Sequence, residues 1–328
     1  MAQEMMDRTP AWREFFLRLA GACLLVGLIF YFLGGVQLQP AEDIRYSFLA
    51  GSLALYILLA ALGMARWAIV VNYFYPGANF PYRHAWMYFT LMILLGEFTS
   101  PAISNTLGRG ALLRKGFNIT LGRSVITTIY PRIFDMLIVA LLTGPALLWL
   151  FGHFRDTGGL AFTSAALLTA GFLFVSLRPA RFIALVNAAL DGAAAFWPRL
   201  GRWLEKYSLH RAPGEHTLRV LLAMSVAHYV AVTFRVYCLV LAFDIPFPLV
   251  SVFFALPLLQ LSMLAAFAPG ALGSLEFGWT AVMLAGGVSS GDISSFLVWN
   301  RVFQILFAAI SFGVAYLWYL ASAPRHAS

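Results

Sequence analysis

The sequence predicts an all-α polytopic membrane protein, on the grounds of its composition and the length of its apolar segments. Of its 328 residues, 61% are hydrophobic and only 11% are charged, whereas soluble globular chains have roughly 25% charged residues. Several apolar segments exceed the roughly 20 residues that an α-helix needs to cross the hydrocarbon core of a bilayer. Lipid therefore faces most of the surface of the folded chain.

Six segments have the length and hydropathy of complete membrane spans. They cover about residues 16–36, 46–71, 119–150, 159–177, 217–242 and 293–320. The first follows three arginines, as a signal peptide would. It is long for that role, however, and it ends without a small-residue cleavage site. We interpret it as a retained span.

Two further apolar segments, 84–107 and 246–287, contain residues that interrupt helices. These residues are Pro101, Pro269, Gly270 and Gly273. Proline removes a backbone hydrogen-bond donor, and glycine disfavours the helix. Irregular backbone at membrane depth is tolerated only where protein buries it or where it lines a water-filled cavity. We therefore predict two helix-broken hairpins, which either turn back within the membrane or cross it completely.

The distribution of lysine and arginine predicts the orientation of these elements. Cytoplasmic loops of membrane proteins are enriched in basic residues, and the basic segments here are the N-terminus, 108–123 and 178–219. Both termini are then cytoplasmic, and each hairpin enters and leaves on one side. Part of the last basic segment, 178–216, has apolar residues near helical spacing. It is either an amphipathic segment on the cytoplasmic leaflet or a plain solvated loop.

This topology divides a single integral membrane domain, 1–328, into two inverted repeats, 1–155 and 156–328. Each repeat has the order span, span, hairpin, span. The spacing of breakers and charges agrees, because Arg132 follows Pro101 by 31 residues and Arg301 follows Pro269 by 32. In secondary transporters, paired interrupted segments of this kind mark the substrate site.

Six charged residues at membrane depth form the candidate site. They are Glu97, Arg109, Arg132, Asp135, Glu276 and Arg301. A charge at the membrane centre costs roughly 2.5–3.5 kcal/mol on insertion scales, so each of these charges needs a structural or functional explanation.

The structural explanation is ion pairing. Arg132 and Asp135 have the i,i+3 spacing of a helical pair, and Glu276 with Arg301 would pin the second hairpin to the last helix. The functional explanation is a polar cavity that accepts a headgroup. Arg109 suits a phosphate, because a guanidinium donates two hydrogen bonds to its oxygens; alternatively it only sets the topology.

We expect two other polar residues of the span 217–242 to have structural and not functional roles. We interpret His228 as a packing residue and Arg235 as a side chain that extends to the outer interface. Likewise, Cys23 and Cys238 lie in apolar segments and are read as packing residues.

No motif for metal-dependent, nucleophilic or phosphate-loop catalysis occurs in the sequence. We therefore predict no cofactor, no metal and no enzymatic activity. The net charge of +8 lies along the loops between spans, where it orients the chain, so we predict no nucleic-acid partner.

The run PGALGSLE, from Pro269 to Glu276, together with Arg301 in the next helix, resembles the Pro-Gly-Gly-x-Gly-x-x-Glu signature of the lysylphosphatidylglycerol synthase transmembrane-domain family. Ala271 stands where that signature has its second glycine. The first half is similar to the family too. Its residues follow the family order Pro101, Arg109, Leu112-Leu113 and Arg132-x-x-Asp135, and the resemblance extends over nearly the whole chain.

The resemblance implies lipid translocation. In bifunctional members this domain moves aminoacylated phosphatidylglycerol between leaflets, while a separate soluble domain synthesises it. We expect a stand-alone flippase-like member of the bacterial inner membrane without that soluble domain. Its substrate would be an aminoacyl-phospholipid, another phospholipid, a polyprenyl-linked lipid or a hopanoid-type lipid, and its partners anionic or headgroup-modified membrane lipids.

Two other functions stay open at this point. The chain could be a non-transporting membrane partner that holds a lipid-modifying or glycosyl-transferring enzyme through its basic cytoplasmic segment. It could also be an intramembrane transferase with Glu276 or His228 as base, although no metal or nucleophile motif accompanies either residue.

Overall fold

Apolar segments in lipid must satisfy their backbone hydrogen bonds internally, and helices do so within one segment. Accordingly, the regular elements of the described residues are all helical, as the composition predicts. A computed structural model describes residues 11–35, 40, 43–78, 80–99, 104–152, 157–196, 214–264 and 269–322. Pro101, one of the four predicted hairpin breakers, lies outside these residues.

The described residues form eleven α-helices and three short helical turns. The helices are α1 (Ala11–Phe32), α2 (Tyr46–Phe74), α3 (Tyr82–Phe98), α4 (Arg109–Phe117), α5 (Leu121–Leu150), α6 (Thr157–Leu177), α7 (Pro179–Phe196), α8 (Glu215–Ala242), α9 (Leu249–Leu264), α10 (Ser274–Ala285) and α11 (Ser290–Ala321). The turns are the 3₁₀ segments Pro76–Ala78 and Pro269–Ala271 and the π segment Ser104–Gly108.

Five helical stretches are long and apolar enough to cross a membrane, and they match five of the six predicted spans. They are Tyr46–Phe74, Ser124–Leu150, Gly158–Leu177, Glu215–Ala242 and Ser290–Ala321. The sixth predicted span corresponds to α1, a helix of 22 residues. The chain is thus a multi-pass membrane protein.

Both interrupted segments have the order helix, break, helix. The first helix of each, α3 and α9, has 17 and 16 residues, and the second, α4 and α10, has 9 and 12. At a rise of about 1.5 Å per residue, none reaches the roughly 30 Å of the hydrocarbon core. Two other residues that disfavour helices do not interrupt them, because Gly96 is within α3 and Pro257 is within α9.

Helix α2 packs most extensively against α8, and the other helices pair around them. Helix α3 packs against α11 while α9 packs against α5. Similarly, α4 packs against α5 while α10 packs against α11. The hairpin helices α3 and α9 therefore each pack against a long helix from the other half of the chain.

The described part of the predicted amphipathic segment is α7. Phe182 is buried on its apolar face and stacks on Phe134 of α5, with ring centroids 5.6 Å apart. Arg178, just before α7, and Arg181 within it are exposed. Residues 197–213, which hold the rest of the predicted segment, lie outside the described residues.

Helices α2 and α3 approach closely at Gly63. A Cβ atom on Gly63 would overlap Cζ of Phe89, so the ring would have to move. We expect Gly63→Ala to lower the melting temperature of the detergent-purified protein, because overpacking a packed interface costs about 1–3 kcal/mol.

The matched control for this substitution is Gly144→Ala in α5, where a Cβ atom meets nothing within 4 Å. Equal melting temperatures for the two variants would contradict the close approach of α2 and α3.

Candidate functional site

Arg301 of α11 joins the two sides of the second helix break. Its Nε donates a hydrogen bond to Oε1 of Glu276 at 2.5 Å, and its Nη1 donates to the carbonyl oxygen of Gly270 at 2.7 Å. Glu276 is buried in the first turn of α10. The ion pair predicted between these residues is therefore present, and it attaches the second hairpin to the last helix.

The N-terminus of α10 is capped by the same carboxylate. The amide of Gly273, the residue just before α10, donates to Oε2 of Glu276 at 2.7 Å. Glu276 therefore supplies a local cap at this helix end from within the first turn of α10.

The turn before α10 has left-handed backbone at three residues. Gly270 has φ +59° and Gly273 has φ +85°, conformations that glycine adopts readily. Ala271 has φ +56° and is buried, although a side chain makes this region unfavourable by roughly 1–2 kcal/mol. Ala271 occupies the position at which the resembled signature has its second glycine.

The ends of the two hairpins touch at this turn. The amide of Gly270 donates to the carbonyl oxygen of Thr99, just after α3, at 2.8 Å. Glu97, in the last turn of α3, accepts hydrogen bonds from Nε2 of Gln304 at 3.0 and 3.2 Å, and it lies 4.0 Å from Nη1 of Arg301. We call Glu97, Gly270, Glu276, Arg301 and Gln304 the junction cluster.

A second group of charges surrounds Asp135 of α5. Arg66 of α2 binds Asp135 through Nη1 at 2.5 Å and through Nη2 at 3.3 Å, and its Nη1 also donates to Oγ of Ser225 at 2.7 Å. The ion pair of Asp135 is therefore with Arg66 and not with Arg132, as the structural explanation had it, although the charge of Asp135 still acts on Arg132. Arg66 reaches the carboxylate from another helix with both of its terminal nitrogens, Nη1 and Nη2, which is the stronger arrangement.

Arg109 is buried without a carboxylate partner among the described residues. Its guanidinium lies over the rings of Phe89, at 4.0 Å, and Trp67, at 5.3 Å, and its Nη2 donates to Oδ1 of Asn105 at 2.7 Å. Contact with aromatic faces partly offsets the loss of water around a cation. The predicted role of Arg109 as a plain topology charge does not fit this burial.

Arg132 is exposed at the side of α5 and has no hydrogen bond or ion pair within the part of the chain that the structure describes. The charges of Arg132 and Arg66 act electrostatically on Arg109. We call Arg66, Arg109, Arg132 and Asp135 the arginine cluster.

A cavity of about 200 Å³ lies between the two clusters. Its polar lining consists of Tyr56, His228, Arg235 and Gln304, and Phe89 forms part of its apolar wall. The interpretation of Arg235 as an interfacial side chain is therefore wrong, whereas His228, interpreted as a packing residue, lies at the cavity wall. Arg235 instead lies 5.5 Å from the ring of Tyr56, inside the bundle.

Sequence reasoning missed two residues of these clusters and one hydrogen-bond partner of Arg109, although each carries a signal. Arg66 lies within a long apolar span, as Arg132 does. Gln304 follows Arg301 by three residues, and Asn105 precedes Arg109 by four, so both lie one helical turn from a predicted site residue. The described residues contain no group of histidine, cysteine and acidic side chains that could hold a metal ion.

Comparison with known proteins identifies a family. The sequence profile described as "Lysylphosphatidylglycerol synthase TM region" matches residues 15–311. Both clusters and the cavity lie within this match. No curated protein and no solved structure matches the chain.

The left-handed turn leads us to expect opposite effects on thermal stability from substitutions at Gly270 and Ala271. Gly270→Ala should lower the melting temperature, because the new Cβ atom would lie 2.7 Å from the backbone oxygen of Glu97. Ala271→Gly should leave the melting temperature unchanged or raise it. The substitution relieves backbone strain of about 1 kcal/mol, and this gain is opposed by a loss of similar size, because glycine raises the entropy of the unfolded chain. Thermal unfolding in detergent measures both. A loss of stability in Ala271→Gly as large as that in Gly270→Ala would contradict this geometry.

The Arg66–Asp135 pair predicts a strong coupling between two substitutions. Arg66→Met and Asp135→Leu should each destabilise the protein, because each leaves a charge without its partner, at a cost of about 3 kcal/mol. The double variant should be less destabilised than the sum of the two. Additive losses in thermal or denaturant unfolding would show that the pair contributes nothing specific.

Proposed function

The chain belongs to the lysylphosphatidylglycerol synthase transmembrane-region family, and from that membership we propose that it moves a polar-headgroup lipid between the leaflets of the bacterial inner membrane. One observation carries the proposal. The two charge clusters and the cavity between them place a series of polar side chains inside an otherwise apolar bundle.

The cavity touches the junction cluster directly and adjoins the arginine cluster through one aromatic ring. Gln304 lines it and binds Glu97 of the junction cluster. Phe89 lines it and carries Arg109 of the arginine cluster against its ring. Phe89 and Glu97 are eight residues apart on α3, a distance of about 12 Å along the helix axis. A headgroup would pass between the clusters over this distance.

The polar series extends over about half of the membrane thickness. On α2, Tyr56 and Arg66 are ten residues apart, which is about 15 Å along the axis, compared with a hydrocarbon core of about 30 Å. On α8, Arg235 contacts Tyr56 and Ser225 contacts Arg66, so the two helices run antiparallel and carry the same span of polar groups. This arrangement supports transfer of a headgroup while the acyl chains remain in lipid.

The charges of the series favour a headgroup that contains phosphate. Five arginines face three carboxylates: Arg66, Arg109, Arg132, Arg235 and Arg301 against Glu97, Asp135 and Glu276. Buried donor nitrogens on Arg66, Arg109 and Arg301 have no hydrogen-bond partner among the described residues. Guanidinium groups bind phosphate oxygens well. Of the predicted lipid classes, phospholipids and polyprenyl-phosphate lipids provide them.

Helix packing supports the two inverted repeats, residues 1–155 and 156–328, that the proposed transport would use. The repeats make each helix of the first half correspond to one of the second: α2 to α8, α3 to α9, α4 to α10 and α5 to α11. Under this correspondence the α3–α11 contact is equivalent to the α9–α5 contact. The α4–α5 contact is likewise equivalent to the α10–α11 contact. The central α2–α8 contact converts into itself. With both termini cytoplasmic, alternating access would arise from rocking one repeat against the other.

Reconstituted vesicles test the transport directly. The protein should accelerate leaflet exchange of a headgroup-labelled phospholipid, and Arg301→Ala or Glu276→Ala should slow it by about tenfold or more, equivalent to roughly 1.4 kcal/mol in the barrier. Arg45→Ala is the matched control, because Arg45 pairs with Asp244 at 2.8 Å where both side chains are exposed. The control variant should exchange lipid at the wild-type rate.

Exchange equal to that of protein-free vesicles, for phospholipid and polyprenyl-phosphate probes alike, would contradict the proposal. In that case the non-transporting role would be favoured, in which the chain holds a lipid-modifying enzyme at the membrane. A stoichiometric enzyme that copurifies with the protein would support that role.

A further inference from the structure

The junction cluster has two carboxylates and one guanidinium. Glu276 accepts the Nε hydrogen bond of Arg301 at 2.5 Å, whereas Oε2 of Glu97 lies 4.0 Å from Nη1 of the same guanidinium. That distance is longer than a hydrogen bond, and Nη1 donates instead to the carbonyl oxygen of Gly270. The side chain of Glu97 is only 9% exposed. Glu97 is therefore a buried acid that the arginine approaches without binding.

The two carboxylates have hydrogen-bond partners of different chemistry. Glu276 accepts from the Arg301 guanidinium and from the amide of Gly273, and neither group can accept a hydrogen bond in return. These contacts fit an ionised carboxylate. Glu97 accepts from Nε2 of Gln304. A glutamine amide also has a carbonyl oxygen, so after rotation it can accept from a protonated carboxyl group. Glu97 thus has a partner that fits both of its protonation states.

The other titratable side chains near Glu97 line the cavity. They are Tyr56 of α2 and His228 and Arg235 of α8. The charge of Arg235 acts on Glu97. Arg109 of α4 is farther away, because it lies over Phe89, eight residues before Glu97 on α3, or about 12 Å along the axis. The π segment Ser104–Gly108, which also packs against α3, has no titratable side chain. Arg301 and Arg235 are therefore the two cations that face Glu97.

The cavity provides a path by which protons reach Glu97. Gln304 lines it, as does Ile93, one helical turn before Glu97 on α3. A volume of about 200 Å³ has room for several water molecules, because each takes up about 30 Å³ in the liquid. The hydroxyl of Tyr56 and the imidazole of His228 are polar partners of the kind that buried water needs. Water in this space would bring protons to the contact between Gln304 and Glu97.

The charge balance of the junction cluster links a proton to a phosphate. With both carboxylates ionised, two negative charges face the single positive charge of Arg301, and the cluster repels an anion. A proton on Glu97 removes this repulsion and leaves Arg235 and Arg301 to an incoming phosphate. Nη2 of Arg301 is buried and has no hydrogen-bond partner within the described chain. A proton and a phosphate therefore each favour the binding of the other.

We propose that Glu97 is a proton-binding site, and that its proton crosses the membrane together with the phosphate headgroup. The inference rests on the proposed function in taking a phosphate headgroup as the cargo, and it adds the ion that drives the transport. One proton accompanies one singly charged headgroup, so the pair crosses without net charge.

Infrared spectroscopy of the full-length protein, in a detergent without ester carbonyls, tests the site. Exposed glutamates have a pKa of about 4.3, so at pH of about 6 they are ionised and do not absorb as carboxylic acids. The wild type should have a carboxylic-acid C=O stretch at this pH, and Glu97→Gln should lack it. Gln304→Leu should shift the stretch to higher frequency, because a C=O bond that loses its hydrogen bond becomes stiffer.

Vesicles with a pH gradient test the coupling. The probe is a phosphatidylethanolamine with a label acylated to its amine, so that its phosphate carries the only charge. With a gradient of one pH unit, the wild type should concentrate the probe up to about tenfold in the leaflet on the alkaline side, because one proton accompanies each headgroup. Glu97→Gln should give the same distribution with and without the gradient. Protein-free vesicles supply the background.

The matched control is Glu215→Gln. It makes the same change at an exposed glutamate outside the polar series, which pairs with Arg219 at 3.4 Å. This variant should keep both the infrared stretch and the accumulation of the probe. A wild type without a Glu97-dependent stretch at pH of about 6, or accumulation that Glu97→Gln retains, would overturn the proposal.

The two measurements separate the proton site from the transport. A Glu97-dependent stretch in a wild type that exchanges no lipid would support the proton site and contradict the proposed function. Lipid exchange that does not respond to the pH gradient would overturn the coupling and leave the proposed function standing.

Discussion

The contacts of the Arg301 guanidinium are the interaction on which the rest of the interior depends. A broken helix exposes backbone amides and carbonyls that water cannot reach, at a cost of several kcal/mol for each unsatisfied group. Arg301 satisfies the Gly270 carbonyl and fixes Glu276, which in turn satisfies the amide of Gly273. One cation thereby makes an irregular turn stable in apolar surroundings, and the turn brings the two hairpins together.

The charged residues that follow the two helix breaks have different partners in the two halves of the chain. Glu276 follows the second break and neutralises Arg301, whereas Arg109 follows the first break and lies near another cation, Arg132. In the second half, the charge that follows the break is therefore neutralised by an arginine of the same half. In the first half, Arg109 has no carboxylate partner among the described residues, and in a membrane such a cation must be balanced by a ligand, by water or by aromatic faces such as Phe89.

The sequence predicted the spans, the two breaks and the Glu276–Arg301 pair, because long apolar segments and helix breakers are local signals. It could not predict which of several arginines binds Asp135. Spacing along α5 favoured Arg132, but the geometry of a neighbouring helix gave the contact to Arg66. Similarly, the direction of the Arg235 side chain depends on the packing of α8 against α2. Its position at the cavity could therefore not be predicted from the pattern of residues within one span.

The close approach at Gly63 has an electrostatic consequence for a residue that it does not touch. Phe89 lies where it does because α2 has no side chain at Gly63, and the same ring lies against the Arg109 guanidinium and forms a wall of the cavity. The missing methyl group thus leaves room for an aromatic ring between a buried cation and the polar space.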